Sequence, residues 1–172
     1  MNDKIDWNFI LSDTRGRVYL LWAILAPWGF VATHYFQQMG ILFVWLAISV
    51  VGLGYMYRVM PLRVRQMQLI FAAWLVPIAS GMLVSLLVFY NHALAELLLV
   101  RLGAFWLLVM AAGYIWNGLV DPPSGWYWFA AAVNVVAGVV CWTVEPFTTA
   151  QYLIAAIVSA WSMLSLWLFR TF

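Results

Sequence analysis

The chain predicts an all-α integral membrane protein with six transmembrane helices in three helical hairpins and both termini cytoplasmic. Three observations carry that reading. Of 172 residues, 67% are hydrophobic and 8% charged, against about 25% charged in an ordinary globular domain. The charges cluster, so that 18–57, 66–95, 102–120, 122–144 and 146–169 hold none. Lys4, Arg15, Arg17, Arg58, Arg63, Arg65 and Arg170 fall on one predicted side and Arg101 alone on the other, the bias expected when cytoplasmic loops retain Lys and Arg.

Each span follows from length. A hydrocarbon core about 30 Å thick takes about 20 apolar residues per helix. The longest uncharged stretch therefore folds back at Gln37-Gln38-Met39-Gly40, and each of the others holds one helix. The predicted spans are 18–36, 40–57, 67–90, 97–120, 126–144 and 152–169. Residues 1–17 form a cytoplasmic segment and 18–172 a single six-helix domain. Runs such as Leu97-Leu98-Leu99-Val100 contradict the alternation of a β-barrel. Asp3, Asp6 and Asp13, with no early apolar run, argue against a cleavable signal peptide. The first span then serves as the targeting signal, preceded either by a short interfacial face of Ile5, Phe9 and Ile10 or by a frayed tail.

Twelve Trp and eight Tyr fit an aromatic belt at the membrane boundaries. Trp22, Trp28, Trp45, Trp74, Trp106 and Trp161 lie deeper, where an indole N–H needs an acceptor. These six are candidates to line a cavity. The first two hairpins also look alike, with Trp22 then Pro27 against Trp74 then Pro77. Their second helices match as Gly54-Tyr55-Met56-Tyr57 against Gly113-Tyr114-Ile115-Trp116. That pattern suggests a parallel repeat; 126–169 supplies no third copy. Pro27 and Pro77 each remove a mid-span backbone donor, which marks either a transport site or a packing kink. Small and polar positions at four-residue spacing, Ala130-Asn134-Gly138 and Gly113-Asn117, give faces for close helix approach. Asn134 then points inward, as structural glue or as pocket lining.

Absences bound the chemistry. With one Cys and eight cations, a disulfide-stapled module, a paired-cysteine relay and nucleic-acid binding are excluded as classes. No ionisable side chain is expected deep in a span except Arg101, so a buried-charge pump or voltage sensor is not supported. His34 and His92, with Glu96, gather at the predicted outer face, where they can bind a metal, titrate as a pH sensor, or simply sit at the interface. Ser80-Gly81 lacks a deep histidine base, Cys141 is single, and Asp121-Pro122-Pro123 reads as a turn, so no catalytic set is visible.

Tyr114, Trp126-Tyr127, Ala132 and Asn134 resemble the middle of the six-helix amide and urea channels. Two further helices follow this stretch in that family and one follows here, so membership is not assigned. The length and the six helices also fit vitamin-binding subunits of energy-coupling transporters, without a shared motif. The leading expectation is a channel or transporter for a neutral or weakly polar small solute, along a path including Asn134, Asn117, Pro27, Pro77, Trp74 and Trp106. A non-catalytic membrane subunit or anchor is the alternative, and a lipid- or cofactor-handling enzyme the third. No cofactor is expected. The expected partners are the lipid bilayer and either a second copy or another membrane protein.

Overall fold

A computed structural model describes residues 14–36, 39–122 and 125–169. The proposed interfacial face at Ile5, Phe9 and Ile10, the Gln37-Gln38 turn and Arg170 lie outside the described residues. Among the described residues the chain is helical and without strands. The helices are α1 (Thr14–Tyr35), α2 (Ile41–Val59), α3 (Arg65–Tyr90), α4 (His92–Leu98), α5 (Leu102–Val120), α6 (Gly125–Thr143), α7 (Glu145–Thr149) and α8 (Gln151–Phe169). Six stretches are long and apolar enough to cross a membrane: Gly16–Tyr35, Ile41–Val59, Arg65–Tyr90, His92–Val120, Gly125–Thr143 and Gln151–Phe169.

Local chemistry sets the breaks. The second helix stops before Pro61 and the fifth before Pro122, where the residue preceding proline is pushed out of helical geometry. Asn91 caps α4, its side chain accepting from the Leu94 N–H at 3.2 Å. The fourth span therefore begins earlier than the expected 97 and is interrupted by a 3₁₀ turn at Leu99–Arg101. Arg101 sits in that break, not one turn inside a continuous helix. Its guanidinium donates to the Trp142 carbonyl at 3.3 Å and lies 5.9 Å from the Trp142 ring centroid. Pro146 occupies the first turn of α7, where a missing N–H costs nothing.

Each span packs on the next, but the most extensive packing joins α1 to α8 and α5 to α6. The last helix thus returns to the first and closes the bundle. It buries Ala155, Ala156, Ser159 and Ser162, small side chains that permit close approach where lipid supplies no hydrophobic force between helices.

The internal repeat is sharper in three dimensions than in sequence. Trp and Gly stand seven positions apart four times, as Trp22–Gly29 in α1, Trp45–Gly52 in α2, Trp74–Gly81 in α3 and Trp106–Gly113 in α5. In each pair of helices the indole of one rests on the glycine of the other. A Cβ on Gly29 would stand 2.8 Å from Trp45, and one on Gly52 would run into the Trp22 ring. Likewise a Cβ on Gly81 would meet Trp106 at 2.8 Å, and one on Gly113 would meet Trp74 at 3.1 Å.

The polar seats repeat as well. Trp45 Nε1 donates to Thr33 Oγ1 at 2.9 Å and Trp106 Nε1 to Ser85 Oγ at 3.0 Å. These hydroxyls donate in turn to the carbonyls of Gly29 at 2.7 Å and Gly81 at 2.8 Å. The register expected from Gly54 is corrected by two residues. Gly54 faces open space, and Gly52 is the counterpart of Gly113. Pro27 and Pro77 fall at different positions in this register, five residues after Trp22 and three after Trp74. Matching strings of Gly and Tyr is a weaker guide than the seven-residue return of one helix face.

Candidate functional site

A cavity of about 30 Å³ lies between the two copies, room for one or two water molecules. Its walls come in equivalent pairs: Trp22 with Trp74, Ala26 with Ile78, Trp45 with Trp106, and Ser49 with Met110. Such pairing is what a cavity on a pseudo-twofold relation requires. Phe30 and, from α8, Met163 complete it. Trp45 and Trp106 are stacked, with ring centroids 5.5 Å apart and planes 7° from parallel. A contact of that kind contributes about 0.5–1.5 kcal/mol beyond area burial.

The stacked pair also lines a second cavity of about 10 Å³, again with equivalent walls: Phe30 with Met82, Thr33 with Ser85, and Ile41 with Leu102. A third small cavity, also about 10 Å³, is bounded by Val18 with its counterpart Ile70, and by Tyr19, Met56, Met60 and Trp74. The three cavities therefore share walls one to the next: Trp74 between the third and the first, and the Trp45–Trp106 stack between the first and the second.

Four of the six deep tryptophans line the first cavity. Trp28 and Trp161 do not; they are 71% and 42% exposed on the outer surface of the bundle. Of the residues expected on the path, Trp74 and Trp106 line this cavity. Pro27 and Pro77 are half-buried inside unbroken helices, next in sequence to the wall residues Ala26 and Ile78. Asn117 and Asn134 are fully buried but line none of these cavities. Asn117 Nδ2 donates to the Gly113 carbonyl at 2.8 Å. Asn134 Nδ2 donates to the Ala130 carbonyl at 2.8 Å and to Ser162 Oγ at 2.9 Å, tying α6 to α8.

A buried polar chain runs beside the cavities and was missed in the sequence. Asp121, 1% exposed, accepts from the Tyr127 hydroxyl at 3.0 Å and from Gln66 Nε2 at 3.3 Å. Tyr127 also shares a hydrogen bond with the Tyr19 hydroxyl, so α1, α3, α5 and α6 meet at one carboxylate. The Asp-Pro-Pro string signalled a turn, and the chain bends at Asp121 and Pro122. That the Asp would face inward was legible only once Tyr127 and Tyr19 were placed.

Gln151 was missed for the same reason. Its carboxamide accepts from the Ala104 N–H at 3.0 Å and donates to the Val100 carbonyl, satisfying backbone groups at the interrupted start of α5. Gly103 makes the approach feasible, since a Cβ there would lie 2.8 Å from Gln151 Cγ.

His92 and Glu96 pair at 3.4 Å across one turn of α4, both well exposed. His34 is half-buried with its ring edge-on to Tyr35 at 5.1 Å. Among the described residues no three His, Cys, Asp or Glu side chains are gathered closely enough to hold a metal ion. His92 and Glu96 thus stand together on α4, and His34 lies on α1. Cys141 is buried and unpaired by any disulfide.

No protein-family model, curated protein or solved structure matches the chain.

Proposed function

We propose that the protein is a channel or transporter for a small neutral or weakly polar solute, with its path between the two Trp–Gly copies. The observation that carries this reading is the succession of small cavities walled by equivalent residues of both copies and interrupted by the Trp45–Trp106 stack. A duplicated pair of helices enclosing a path at mid-depth is a recurring way to build an alternating or gated route. No charged side chain lines these cavities, which favours neutral solutes over ions. The stack is then a closed gate, and Asn134 and Asn117 hold the surrounding helices without touching the solute.

In this proposal the spans pair as three hairpins with both termini cytoplasmic, as the bias in Lys and Arg indicates. The site of action is a plasma or inner membrane. Permeability of proteoliposomes to water, urea and formamide, compared with protein-free liposomes, tests the reading. Enhanced passage of at least one is expected, and no enhancement for any neutral solute overturns it.

A second reading, a non-catalytic subunit of a larger membrane complex, is favoured by two apolar grooves on the outside of the bundle. One, about 430 Å³, runs along α6 past Val136 and Val140 to Phe147 and Ile154. The other, about 320 Å³, lies between α2 and α3 at Phe43, Leu46, Leu83 and Leu86. Recovery of the chain only within a larger stable complex supports that reading.

A further inference from the structure

The walls of the first cavity match across the two copies in their Trp pairs and differ in polarity at one pair. Ser49 in α2 stands where Met110 stands in α5. Ser49 is 7% exposed. Thr33 and Ser85, the other hydroxyls near the stacked indoles, are each doubly engaged, with a glycine carbonyl and with an indole N–H. Ser49 is the one hydroxyl-bearing residue among the walls of this cavity. A hydroxyl held away from water costs free energy until it finds a partner. Inside this cavity the remaining walls are indole, phenyl, thioether and alkyl groups.

We infer that Ser49 is the specificity-determining polar contact of the cavity, and that the solute is a small neutral molecule presenting one hydroxyl, carbonyl or amide group to it. With room for one or two water molecules in the cavity, such a solute is of about formamide size and meets the Trp faces around it. A fully apolar guest leaves the hydroxyl unpaired, and an ion finds no counter-charge. This inference rests on the transport reading for its substrate class, but the occupancy of the cavity is testable without transport.

The test has two arms, both in a Cys141→Ser background. In the first, Ser49→Cys protein in liposomes is treated with neutral methyl methanethiosulfonate and with its trimethylammonium-ethyl analogue. The neutral reagent is expected to modify the thiol and the cation to react at least about tenfold more slowly, as a charge excluded from the hydrocarbon region does. In the second, formamide permeability is measured for Ser49→Ala, Ser49→Thr and Met110→Ser. Loss of one hydrogen bond is expected to lower it about tenfold in Ser49→Ala, while Ser49→Thr stays within about twofold of wild type and Met110→Ser is not lowered.

A thiol at position 49 that resists the neutral reagent in folded protein overturns the inference. So does Ser49→Ala with wild-type permeability. If the wild type itself passes no solute, the transport reading fails alone, and the labelling arm still decides whether the cavity admits a neutral guest at Ser49.

Discussion

The helices α1, α2, α3 and α5 and the pair α6 and α8 are built from the same apolar alphabet by opposite rules. The first four interlock by large rings on glycines, with indole N–H groups seated on Thr33, Ser85 and the Met56 sulfur, the last at 3.3 Å. Rings of that size do not fill space completely, and small cavities remain along their shared boundary. The last pair attaches by small side chains and carboxamides, with Asn134 on Ser162 and Gln151 on the start of α5. One region keeps space between its copies and the other braces it, which is why the proposed path is placed in the first. The copies diverge where the brace docks. Gly103 and Ala104 admit Gln151 and Tyr152, whereas their counterparts are Leu42 and the 73% exposed Phe43.

The contrast can be broken most forcefully at a glycine seat. Gly52→Ala drives a methyl into the Trp22 ring, and overpacking of this kind costs about 1–3 kcal/mol. Gly54→Ala, facing open space, is expected to stay within about 0.5 kcal/mol of wild type. Reversible unfolding in mixed micelles compares the two, and equal effects would contradict the two-residue correction of the repeat.

A smaller loss is expected at the brace. Gln151→Leu leaves the Ala104 N–H and the Val100 carbonyl without the carboxamide, at about 1–2 kcal/mol. The same unfolding assay, read beside hydrogen exchange at Ala104, separates loss of this tether from general loosening. Asn134→Leu removes the contact with Ser162, and interhelical hydrogen bonds in membranes average about 0.6 kcal/mol with a maximum of about 1.7. The smallest effects belong to Trp28→Leu and Trp161→Leu, within about 0.5 kcal/mol, because both rings face outward. A large loss at either would show that the outer surface is a packed interface with another chain.

Much of the fold was legible because the governing signals are one-dimensional. Uncharged run length located all six spans to within a few residues, except at the fourth, where Asn91 capping and the turn at Leu99–Arg101 move its start. Depth in a span picked out Trp22, Trp45, Trp74 and Trp106 correctly as cavity lining but could not separate them from Trp28 and Trp161. Depth says nothing about the side of the helix, and the side is set by which helix carries a glycine at the facing position. The seven-residue Trp–Gly interval was present in the sequence, hidden by the more conspicuous Gly-Tyr and Trp-Pro strings. Asp121 and Gln151 were not legible, because Gln66 and the start of α5, which they meet, lie far from them in the chain.

The central claim, that a solute path runs between the two copies and is closed by the stacked indoles, is tested most directly by opening the stack from either side. Urea and formamide permeability is measured in proteoliposomes containing wild type, Trp45→Ala or Trp106→Ala, with folding verified by monodispersity. Because the two indoles are equivalent in the repeat, both variants are expected to raise permeability to a similar extent, about tenfold or more if the stack supplies upwards of about 1.4 kcal/mol of the barrier. Folded variants that both remain at the wild-type level would contradict the account.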